Sequence, residues 1–419
     1  MNVAIHTLGC KLNQAESELF ARQFADAGYS IVTGDAADIH VINTCTVTHI
    51  ADRKSRHLVR MLKKKSPRAL IVATGCYAQR APEELEQVGA GLVVGNKEKM
   101  QLLALIKGRM DEQELGVPVF TANISRVRSF IKIQDGCNDA CAYCIVPQVR
   151  GHERSVPAEE IIDEVRARVH DGYKEIVFTG TKIGDYSRNG VNLSQLIKEV
   201  LSIKELERLH ISSVQPQDIS PTLLELWQDA RLCRHFHIAL QSGSSSVLRK
   251  MGRRYSVDNF SSAVSLIRKM VKDVAITTDI MVGFPGETAE EFDEGYCFCK
   301  EMDFAAIHVF TYSARPGTPA ARMPAQIEDR IKKERSLKML QLAKDSAERF
   351  QKRFLGRVLS VLWENEVKPG SDVYSGLSHN YIRTFTRSDR PLNNQLFSVS
   401  PTSLDKEGLW VEIKDENKY

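Results

Sequence analysis

The sequence predicts an α/β protein with three parts: a doubly wound parallel-sheet domain, a partial (β/α)6 TIM-like barrel and a small all-β barrel. Short apolar runs alternate with amphipathic stretches over the first hundred residues, as in a parallel sheet covered by helices. The same alternation resumes with six further runs after residue 128, and closely spaced strands replace it after Gly356. A chain of 419 residues is long enough for two or three domains.

The first part contains four predicted strands, "NVAIHTLG", "DIHVINTC", "ALIVATGC" and "GLVVG", with helical patterns at 13–28, 47–65 and 82–88. Cys10, Cys45 and Cys76 each end or follow one of the first three strands. Because the carboxyl ends of parallel strands share one edge of the sheet, these cysteines are expected to converge there.

The second part contains six predicted strands near 129–134, 175–179, 208–212, 235–240, 274–283 and 305–310. Helical patterns separate them, for example at 158–171 after Pro157. The loops that follow the strands are "QDGCND", "TGTKIGDY", "SSVQP", "LQSGS", "VGFPGE" and "TYSARPGTP". In a barrel the active groups lie at these strand ends, so the polar loops predict an active face.

A basic helix at 326–355 leads into the third part, whose alternating short strands predict a small β-module. The predicted division is 1–118, a linker at 119–128, a central domain at 129–345 and a C-terminal domain at 346–419.

The composition is that of a globular protein, with 42% apolar and 26% charged residues and a net charge of +4. The longest apolar runs have only strand length, so no membrane span is predicted. The first residues do not form a signal peptide, which leads us to expect a cytoplasmic protein, where structural disulfides are rare. Clustered cysteines, among nine in total, therefore indicate metal or redox chemistry.

"CNDACAYC" places Cys137, Cys141 and Cys144 on one loop with the spacing C-x3-C-x2-C. A 4Fe–4S cluster held only by cysteine needs four thiolates, and no fourth is nearby. Three thiolates would leave one iron open to a substrate. The alternative is zinc bound by these thiolates and a distant His or Cys, although zinc loops usually pair two C-x2-C hooks.

This loop resembles the signature of the radical S-adenosylmethionine (SAM) enzymes. Together with "TLGCKLNQAES", "VINTCTV", "ATGCYAQ", "LQSGS", "VGFPGET" and "HVFTYSARPGTPA", the chain resembles the radical SAM methylthiotransferase family along nearly its whole length. The resemblance implies one 4Fe–4S cluster on Cys137, Cys141 and Cys144 and an auxiliary 4Fe–4S cluster on Cys10, Cys45 and Cys76. It also implies that SAM is both methyl donor and radical source.

The resemblance further implies which loops contact SAM, although each of these residues could equally serve loop geometry. The candidate cofactor-binding residues are Tyr143, Gly180, Gly184, Asp185, Ser212, Ser213, Gln215, Gln241, Ser242, Gly283, Pro285 and Glu287. Arg150 and Arg315 are candidate contacts to the SAM carboxylate or to the substrate.

Within the family, "ISSVQP" is similar to the pattern of the enzymes that act on threonylcarbamoyladenosine in tRNA, at C2 of the adenine at position 37. Gln215 replaces the usual acidic residue and Val156 the usual arginine. Alternative substrates are isopentenyladenosine in tRNA and a ribosomal-protein aspartate. An alternative of another class is a non-catalytic, metal-stabilised RNA-binding protein.

The expected partners are the tRNA anticodon loop, an electron donor of the flavodoxin or ferredoxin type and a sulfur source, and the chain is expected to be a monomer. The C-terminal module resembles the TRAM domain, an RNA-binding barrel. Its interleaved aromatic and basic residues suit loop-RNA stacking, although some of them are expected to form the barrel core: Tyr374, His379, Tyr381, Arg383, Phe385 and Arg387. Basic stretches at 53–65, 249–254 and 330–353 suit phosphates.

Two smaller groups of residues stand outside these motifs. His235 and His237 alternate on a predicted strand, where barrel-lining histidines are expected rather than a metal pair. Cys233, Cys297 and Cys299 match no motif, and we expect buried or incidental thiols.

Overall fold

The computed structural model describes residues 1–34, 37–109 and 127–413. The predicted linker at 119–128 lies outside the described residues except for its last two positions. In the described ranges, none of the helices combines the length and apolar character needed to cross a membrane.

The N-terminal part is a five-stranded sheet in the order β2-β1-β3-β4-β5, and every pairing is parallel. Its strands are β1 (Asn2–Thr7), β2 (Ser30–Ile31), β3 (Ile39–Thr44), β4 (Leu70–Gly75) and β5 (Leu92–Val94). Its helices are α1 (Lys11–Asp26), α2 (His49–Lys65), α3 (Cys76–Arg80), α4 (Pro82–Gln87) and α5 (Leu102–Lys107).

Helices cover both faces of this sheet, because successive strand residues point to opposite sides. Val41 packs with Phe20 of α1 in one apolar cluster, whereas Ile42 packs with Leu62 of α2 in another. The predicted doubly wound arrangement is therefore present.

The central part has two parallel sheets, in the orders β12-β9-β6 and β13-β14-β15-β16. Only Ser212 separates β12 from β13, so six successive strand runs follow one another in chain order. Strands and hairpin segments are β6 (Arg128–Lys132), β7 (Gln134–Asp135), β8 (Arg154–Ser155), β9 (Glu175–Thr179), β10 (Ser187–Arg188), β11 (Val191–Asn192), β12 (Arg208–Ile211), β13 (Ser213–Val214), β14 (His235–Ile238), β15 (Ala275–Val282) and β16 (Ala306–Thr311).

The helices of the central part lie outside these strands, and their apolar faces share one large core with alternate strand residues. They are α6 (Val146–Arg150), α7 (Ala158–His170), α8 (Leu193–Val200), α9 (Pro221–Leu224), α10 (Ser245–Lys250), α11 (Val257–Met270), α12 (Ala289–Met302) and α13 (Asp329–Lys352). The other strand face carries a group of polar side chains that we call the chamber, defined by His210, His235, His237, Thr277, Asp279 and His308.

Helix α1 of the N-terminal part covers one side of this strand face. Ala15 packs against Phe130 of β6 and Val177 of β9, and the Glu18 carboxylate accepts from the Phe130 amide at 3.4 Å. The β16 side is left open, since His308 and Phe310 are exposed.

The C-terminal part is a six-stranded sheet in the order β20-β17-β18-β19-β22-β21. Its strands are β17 (Leu359–Glu366), β18 (Val373–Ser378), β19 (Arg383–Arg387), β20 (Leu396–Val399), β21 (Pro401–Asp405) and β22 (Gly408–Val411). Phe350 at the end of α13 joins the core of this sheet around Trp363. Residue 345, where the sequence places a domain boundary, lies inside α13.

Two of the aromatic residues considered for RNA stacking face the interior, as expected of some members of that group. Tyr381 stacks on His210 of β12 with ring centroids 4.0 Å apart, and its hydroxyl donates to Glu175. Tyr374 belongs to the core of the C-terminal sheet. These side chains are buried because the small sheet uses them to pack internally and against the central strands.

Candidate active site

Strand register brings the three N-terminal cysteines together. The pairing of β3 with β4 runs from Ile39↔Leu70 to Thr44↔Gly75, so Cys45 and Cys76 are the next residues on adjacent strands. Cys10 is the N-cap of α1, after β1 on the other side of β3. The predicted convergence at the sheet edge is therefore observed.

Gly9 allows this close approach. Its φ of +98° favours glycine, and a Cβ at this position would lie 2.6 Å from the Cβ of Cys45 and 2.8 Å from its sulfur. Burial raises the pKa of the Cys45 thiol to about 12, and the neighbouring thiols of Cys10 and Cys76 contribute to the rise. The three sulfurs thus lie close enough to interact electrostatically.

The second cysteine loop lies between β7 and α6. Backbone hydrogen bonds fix it on both sides: the Cys137 amide donates to Gly151 at 3.1 Å and the Ala142 amide to Met251 at 2.9 Å. Burial raises the pKa of the Cys144 thiol to about 12, with the Cys141 and Cys137 thiols adding to the rise. The loop is held rigidly against the ends of the central strands.

Hydrogen-bond donors point at sulfurs in both groups of three cysteines. We call these groups the N-terminal trio (Cys10, Cys45 and Cys76) and the central trio (Cys137, Cys141 and Cys144). Arg253 donates to the sulfur of Cys141 at 3.3 Å, the Asp139 amide to Cys137 at 3.4 Å, and the Asn96 amide group to Cys76 at 3.6 Å. Thiols are deprotonated when they bind a metal, and N–H donors and a guanidinium stabilise thiolates. The donor sets therefore fit two three-cysteine iron–sulfur sites.

A cavity of about 220 Å3 lies beside the central cysteine loop. Tyr143 and Cys144 line it from this loop, and Val47 and Thr48 line it from the segment after Cys45. Its remaining wall is formed by Ile145, Val146, Met281, Phe310, Thr311, Tyr312 and Ser313. Cys144 therefore borders a mostly apolar space to which the N-terminal part contributes through the segment that follows Cys45.

Arg150 and Arg315 connect the N-terminal and central parts. Arg150, at the end of α6, donates to Glu16 at 3.0 Å and to Asp135 at 2.9 Å, and a second nitrogen donates to Asn13 at 2.7 Å. A buried guanidinium requires counter-charges, and these carboxylates supply them.

Arg315 makes the equivalent connection on the other side. It is buried and donates to Asp52 of α2 at 2.6 Å and to the carbonyl of Thr46 at 3.2 Å. Arg80 also donates to Asp52, at 3.1 Å. Arg315 therefore takes part in the domain contact through Asp52, while its other terminal nitrogen, Nη2, is buried without a hydrogen-bond partner among the described residues. Its predicted contact to SAM or substrate stays a prediction.

A buried ion pair joins the loop after β9 to the central cysteine loop. The sequence patterns did not reveal it. Lys182, in "TGTKIGDY", is buried and its ammonium lies 2.9 Å from Asp139 and 2.6 Å from the predicted residue Asp185. Gln215 also reaches Asp139, at 3.4 Å. One signal in the sequence could have identified Lys182 as a functional residue, namely its position in a loop directly after a predicted strand.

The remaining residues predicted to bind SAM lie at the strand ends, where their steric surroundings and burial can be described. Gly180 and Gly184 are sterically required, since a Cβ would lie 2.7 Å from the Gln134 carbonyl and 1.8 Å from an Asp218 oxygen, respectively. Ser212 and Ser242 are buried and Ser213 is exposed.

The loop with Gly283, Pro285 and Glu287 is tied to α13. Glu287 accepts from the Gly283 amide at 2.7 Å and from Arg335 at 2.6 Å. Gln241, with a φ of +68°, bridges to β15: its amide donates to Asp279 and its carbonyl accepts from Met281, both at 2.8 Å. These contacts give each residue a structural role and leave the predicted SAM contacts as predictions.

The chamber histidines are hydrogen-bonded, as expected of barrel-lining residues. His235 contacts His210 at 2.8 Å and Thr277 at 3.0 Å, and His237 contacts Asp279 at 3.1 Å. Outside the chamber, Cys233 and Cys299 are buried and Cys297 is exposed.

These features define an enzyme of the radical SAM class with a second three-cysteine site in an added α/β domain. The radical SAM superfamily model matches residues 131–299, and that of an uncharacterized protein family, UPF0004, matches residues 2–95. The solved structure of the radical SAM methyltransferase TsrM from Kitasatospora setae has a TM-score of 0.59 over 76% of this chain and 77% of its own, at 15% identity, which shows a shared fold.

Curated relatives define the family more closely. The threonylcarbamoyladenosine tRNA methylthiotransferase MtaB of Bacillus subtilis is 36% identical over 99% of this chain and 97% of its own length. The tRNA-2-methylthio-N(6)-dimethylallyladenosine synthase of Acetivibrio thermocellus is 32% identical over 94% and 87%. The chain belongs to the radical SAM methylthiotransferase family, and it is a transferase that uses SAM and iron–sulfur clusters. The resemblance noted from the motifs is confirmed, which leaves no support for the non-catalytic alternative.

Proposed function

We propose that the protein methylthiolates C2 of N6-threonylcarbamoyladenosine at position 37 of tRNA. The observation that supports this most directly is the alignment of the chain, over 99% of its length, with a threonylcarbamoyladenosine tRNA methylthiotransferase, in a fold where Cys144 and the segment after Cys45 line one apolar cavity. A reaction that joins radical generation to sulfur transfer requires two cysteine sites beside one substrate.

In this proposal Cys137, Cys141 and Cys144 hold the 4Fe–4S cluster that binds SAM, and the auxiliary 4Fe–4S cluster is held by the N-terminal trio, Cys10, Cys45 and Cys76. When bound, these groups and SAM supply the radical, the methyl group and the sulfur. The fit rests on the N–H donors from Arg253, Asp139 and Asn96 that point at three of the six sulfurs.

The protein's own residues would position the base and exclude water. Val47, Met281 and Phe310 give the cavity apolar walls suited to an adenine ring. Arg150 and Arg315, each paired with a carboxylate across the domain contact, hold the two trios at a fixed separation. A radical reaction depends on both functions, because water and misplacement divert reactive species.

We further propose that SAM lies against the ends of the central strands. The loop after β9 is the best-placed contact, since Lys182 and Asp185 are tied to the cluster loop through Asp139. Of the predicted cofactor-binding residues, Tyr143 is the one that also lines the cavity.

The C-terminal sheet would act as a TRAM-like RNA-binding module beside a central barrel, with domain limits near those predicted. Exposed Lys54 and Lys64 of α2 present positive charge on the surface, which suits tRNA phosphates. The proposal includes a flavodoxin- or ferredoxin-type electron donor, a sulfur source, a monomeric state and a cytoplasmic location.

Mass spectrometry of tRNA nucleosides from cells that lack the gene tests the substrate. We expect 2-methylthio-N6-threonylcarbamoyladenosine to disappear and to return on complementation. Its unchanged persistence would reject the proposal. A second candidate is favoured by the 32% identity to the dimethylallyladenosine enzyme, and loss of that methylthio nucleoside instead would establish it.

A further inference from the structure

Lys182 is a buried cation whose counter-charge lies in the central cysteine loop. Its side chain is 6% exposed, and its ammonium lies 2.9 Å from Asp139 and 2.6 Å from Asp185. The side chain of Asp139 is 8% exposed. A buried charge is stable only when an opposite charge is held close to it, so the positions of Lys182 and Asp139 depend on each other.

Asp139 connects this ion pair to a cysteine sulfur. It lies between Cys137 and Cys141 in the sequence, and its backbone amide donates to the sulfur of Cys137 at 3.4 Å. Because the amide and the carboxylate belong to the same residue, the lysine that holds the carboxylate also restrains the direction of the amide. Lys182 is therefore one side chain away from a sulfur of the central trio.

Two other groups contact the Asp139 carboxylate, and neither is equivalent to Lys182. Arg254 lies 3.3 Å from it, but the side chain of Arg254 is 67% exposed, so water screens this charge. The amide group of Gln215 donates to Asp139 at 3.4 Å and carries no charge. Among the described residues, Lys182 is thus the buried cation that balances this carboxylate.

The charge balance beside Cys137 affects how readily an electron enters the site. The reduction potential of an iron–sulfur cluster depends on the nearby charges and on the hydrogen bonds to its sulfurs. Since reduction adds one negative charge, a buried carboxylate without a counter-charge opposes it and a buried ammonium favours it. Both effects are larger in a protein interior than in water, because the effective dielectric constant is lower there.

We propose that Lys182 is a positioning residue that holds Asp139 beside Cys137 and neutralises its charge, so that the 4Fe–4S cluster of the central trio stays reducible by its electron donor. The proposal rests on the proposed function, which assigns this cluster to Cys137, Cys141 and Cys144. The two members of the pair have separate parts in it. The amide of Asp139 donates to the sulfur, and the ammonium of Lys182 compensates the carboxylate.

The test measures the midpoint potential of the central cluster alone. In a full-length background variant, Cys10, Cys45 and Cys76 are replaced by alanine, so that a single cluster remains. Titration with dithionite in the presence of redox mediators, followed by electron paramagnetic resonance, gives its midpoint potential. We expect Lys182→Met in this background to make the cluster about tenfold harder to reduce, which for a one-electron couple is a shift of about 59 mV to lower potential.

Asp139→Asn should shift the potential in the opposite direction. It removes the carboxylate and keeps the backbone amide that donates to Cys137, so the ammonium of Lys182 remains in excess and the potential should rise. The double variant Lys182→Met/Asp139→Asn should return toward the background value, because the pair carries no net charge. If both single variants shift the potential in the same direction, a loosened loop explains the result and the proposal is overturned.

Lys182→Gln removes the charge and keeps a hydrogen-bond donor, so this variant decides the matter if Lys182→Met loses iron. It should also lower the potential. The matched control is Arg254→Met, which removes a charge from the exposed contact with the same carboxylate and should change the reduction equilibrium by less than about threefold. An unchanged potential in Lys182→Gln, or equal shifts in Lys182→Gln and Arg254→Met, would contradict the role of the buried pair.

The iron content of the background variant separates this proposal from the cluster assignment. About four irons per chain and a reducible 4Fe–4S signal are expected from the central trio. If the background variant holds no such cluster, the assignment fails and the proposal for Lys182 fails with it. If it holds the cluster and the substitutions leave its potential unchanged, the proposal for Lys182 fails alone. Neither result depends on which tRNA nucleoside is modified.

Discussion

Replacement of Arg150 by glutamine tests whether the buried charge network fixes the two cysteine trios relative to each other. Arg150 contributes three contacts at 2.7–3.0 Å, to Asn13 and Glu16 of the N-terminal part and to Asp135 of the central part. Glutamine retains hydrogen-bonding capacity and removes the charge. The expected result is a weaker attachment of α1 to the central part.

The magnitude follows from the burial of the network. Removal of one partner from a buried ion pair costs about 3–5 kcal/mol, because the remaining charge stays buried. Lys99 and Lys132 still face Glu16 in the variant and compensate part of this loss. We therefore expect Arg150→Gln to lower the opening free energy at this contact by about 2–3 kcal/mol.

Native-state hydrogen exchange of α1 and α6 amides measures this opening free energy directly. The matched control is Arg166→Gln, which breaks an exposed pair with Asp163 at 3.1 Å and should change protection by less than about 0.5 kcal/mol. Equal protection in the two variants would refute the reasoning, since it would show that the buried network contributes no more than a surface pair.

Three further predictions concern the cysteine sites and the loop after β13. Gly9→Ala should reduce iron from about eight toward four per chain, because a Cβ would lie 2.6 Å from that of Cys45. Gly34→Ala, at a φ of +97° with open space around it, should keep full iron content in the same assay, and equal iron in both variants would contradict the steric argument. Cys10→Ala should abolish methylthio transfer while SAM cleavage continues, which a combined assay of 5′-deoxyadenosine and modified nucleoside can check, and loss of both products would argue against separate roles. Burial raises the pKa of Asp218 from 3.8 to about 6, so the folded state binds this proton more tightly and stability falls as pH rises through this range. Ionisation of Asp218 should therefore lower the midpoint temperature of thermal unfolding of the wild type at pH 7 relative to pH 4. Asp218→Asn removes this contribution and should shift the difference between the two midpoints in favour of pH 7. The same difference in the variant and the wild type would exclude the effect.

The sequence predicted the strands of the first two parts closely, because strands buried on both faces appear as continuous apolar runs. The run at 175–179 has the limits of β9, and the helical pattern at 158–171 extends one residue beyond α7. The convergence of Cys10, Cys45 and Cys76 was predictable for the same reason, since it follows from parallel strand order alone.

Side-chain partners across the domain contacts were not predictable. Arg150 and Glu16 are 134 residues apart, and Arg315 and Asp52 are 263 apart. In the sequence, an arginine in a loop near the active site has the same appearance whether it binds a ligand or a buried carboxylate. The core position of Tyr381 was not predictable for a similar reason, as composition does not show which face of a small sheet packs inward.

Helix α1 carries several functions on a few consecutive turns. Cys10 is its N-cap, Lys11 lies with its ammonium 6.0 Å from the ring centroid of Tyr381, and Glu16 and Glu18 contact the central part. Insertion of one residue in the first turn of α1 would rotate Glu16 and Glu18 by about 100° about the helix axis relative to Cys10, so the cysteine and the domain contacts could not both keep their positions. An N-terminal domain exchanged between family members would therefore carry with it the donor's half of the contact to the central part.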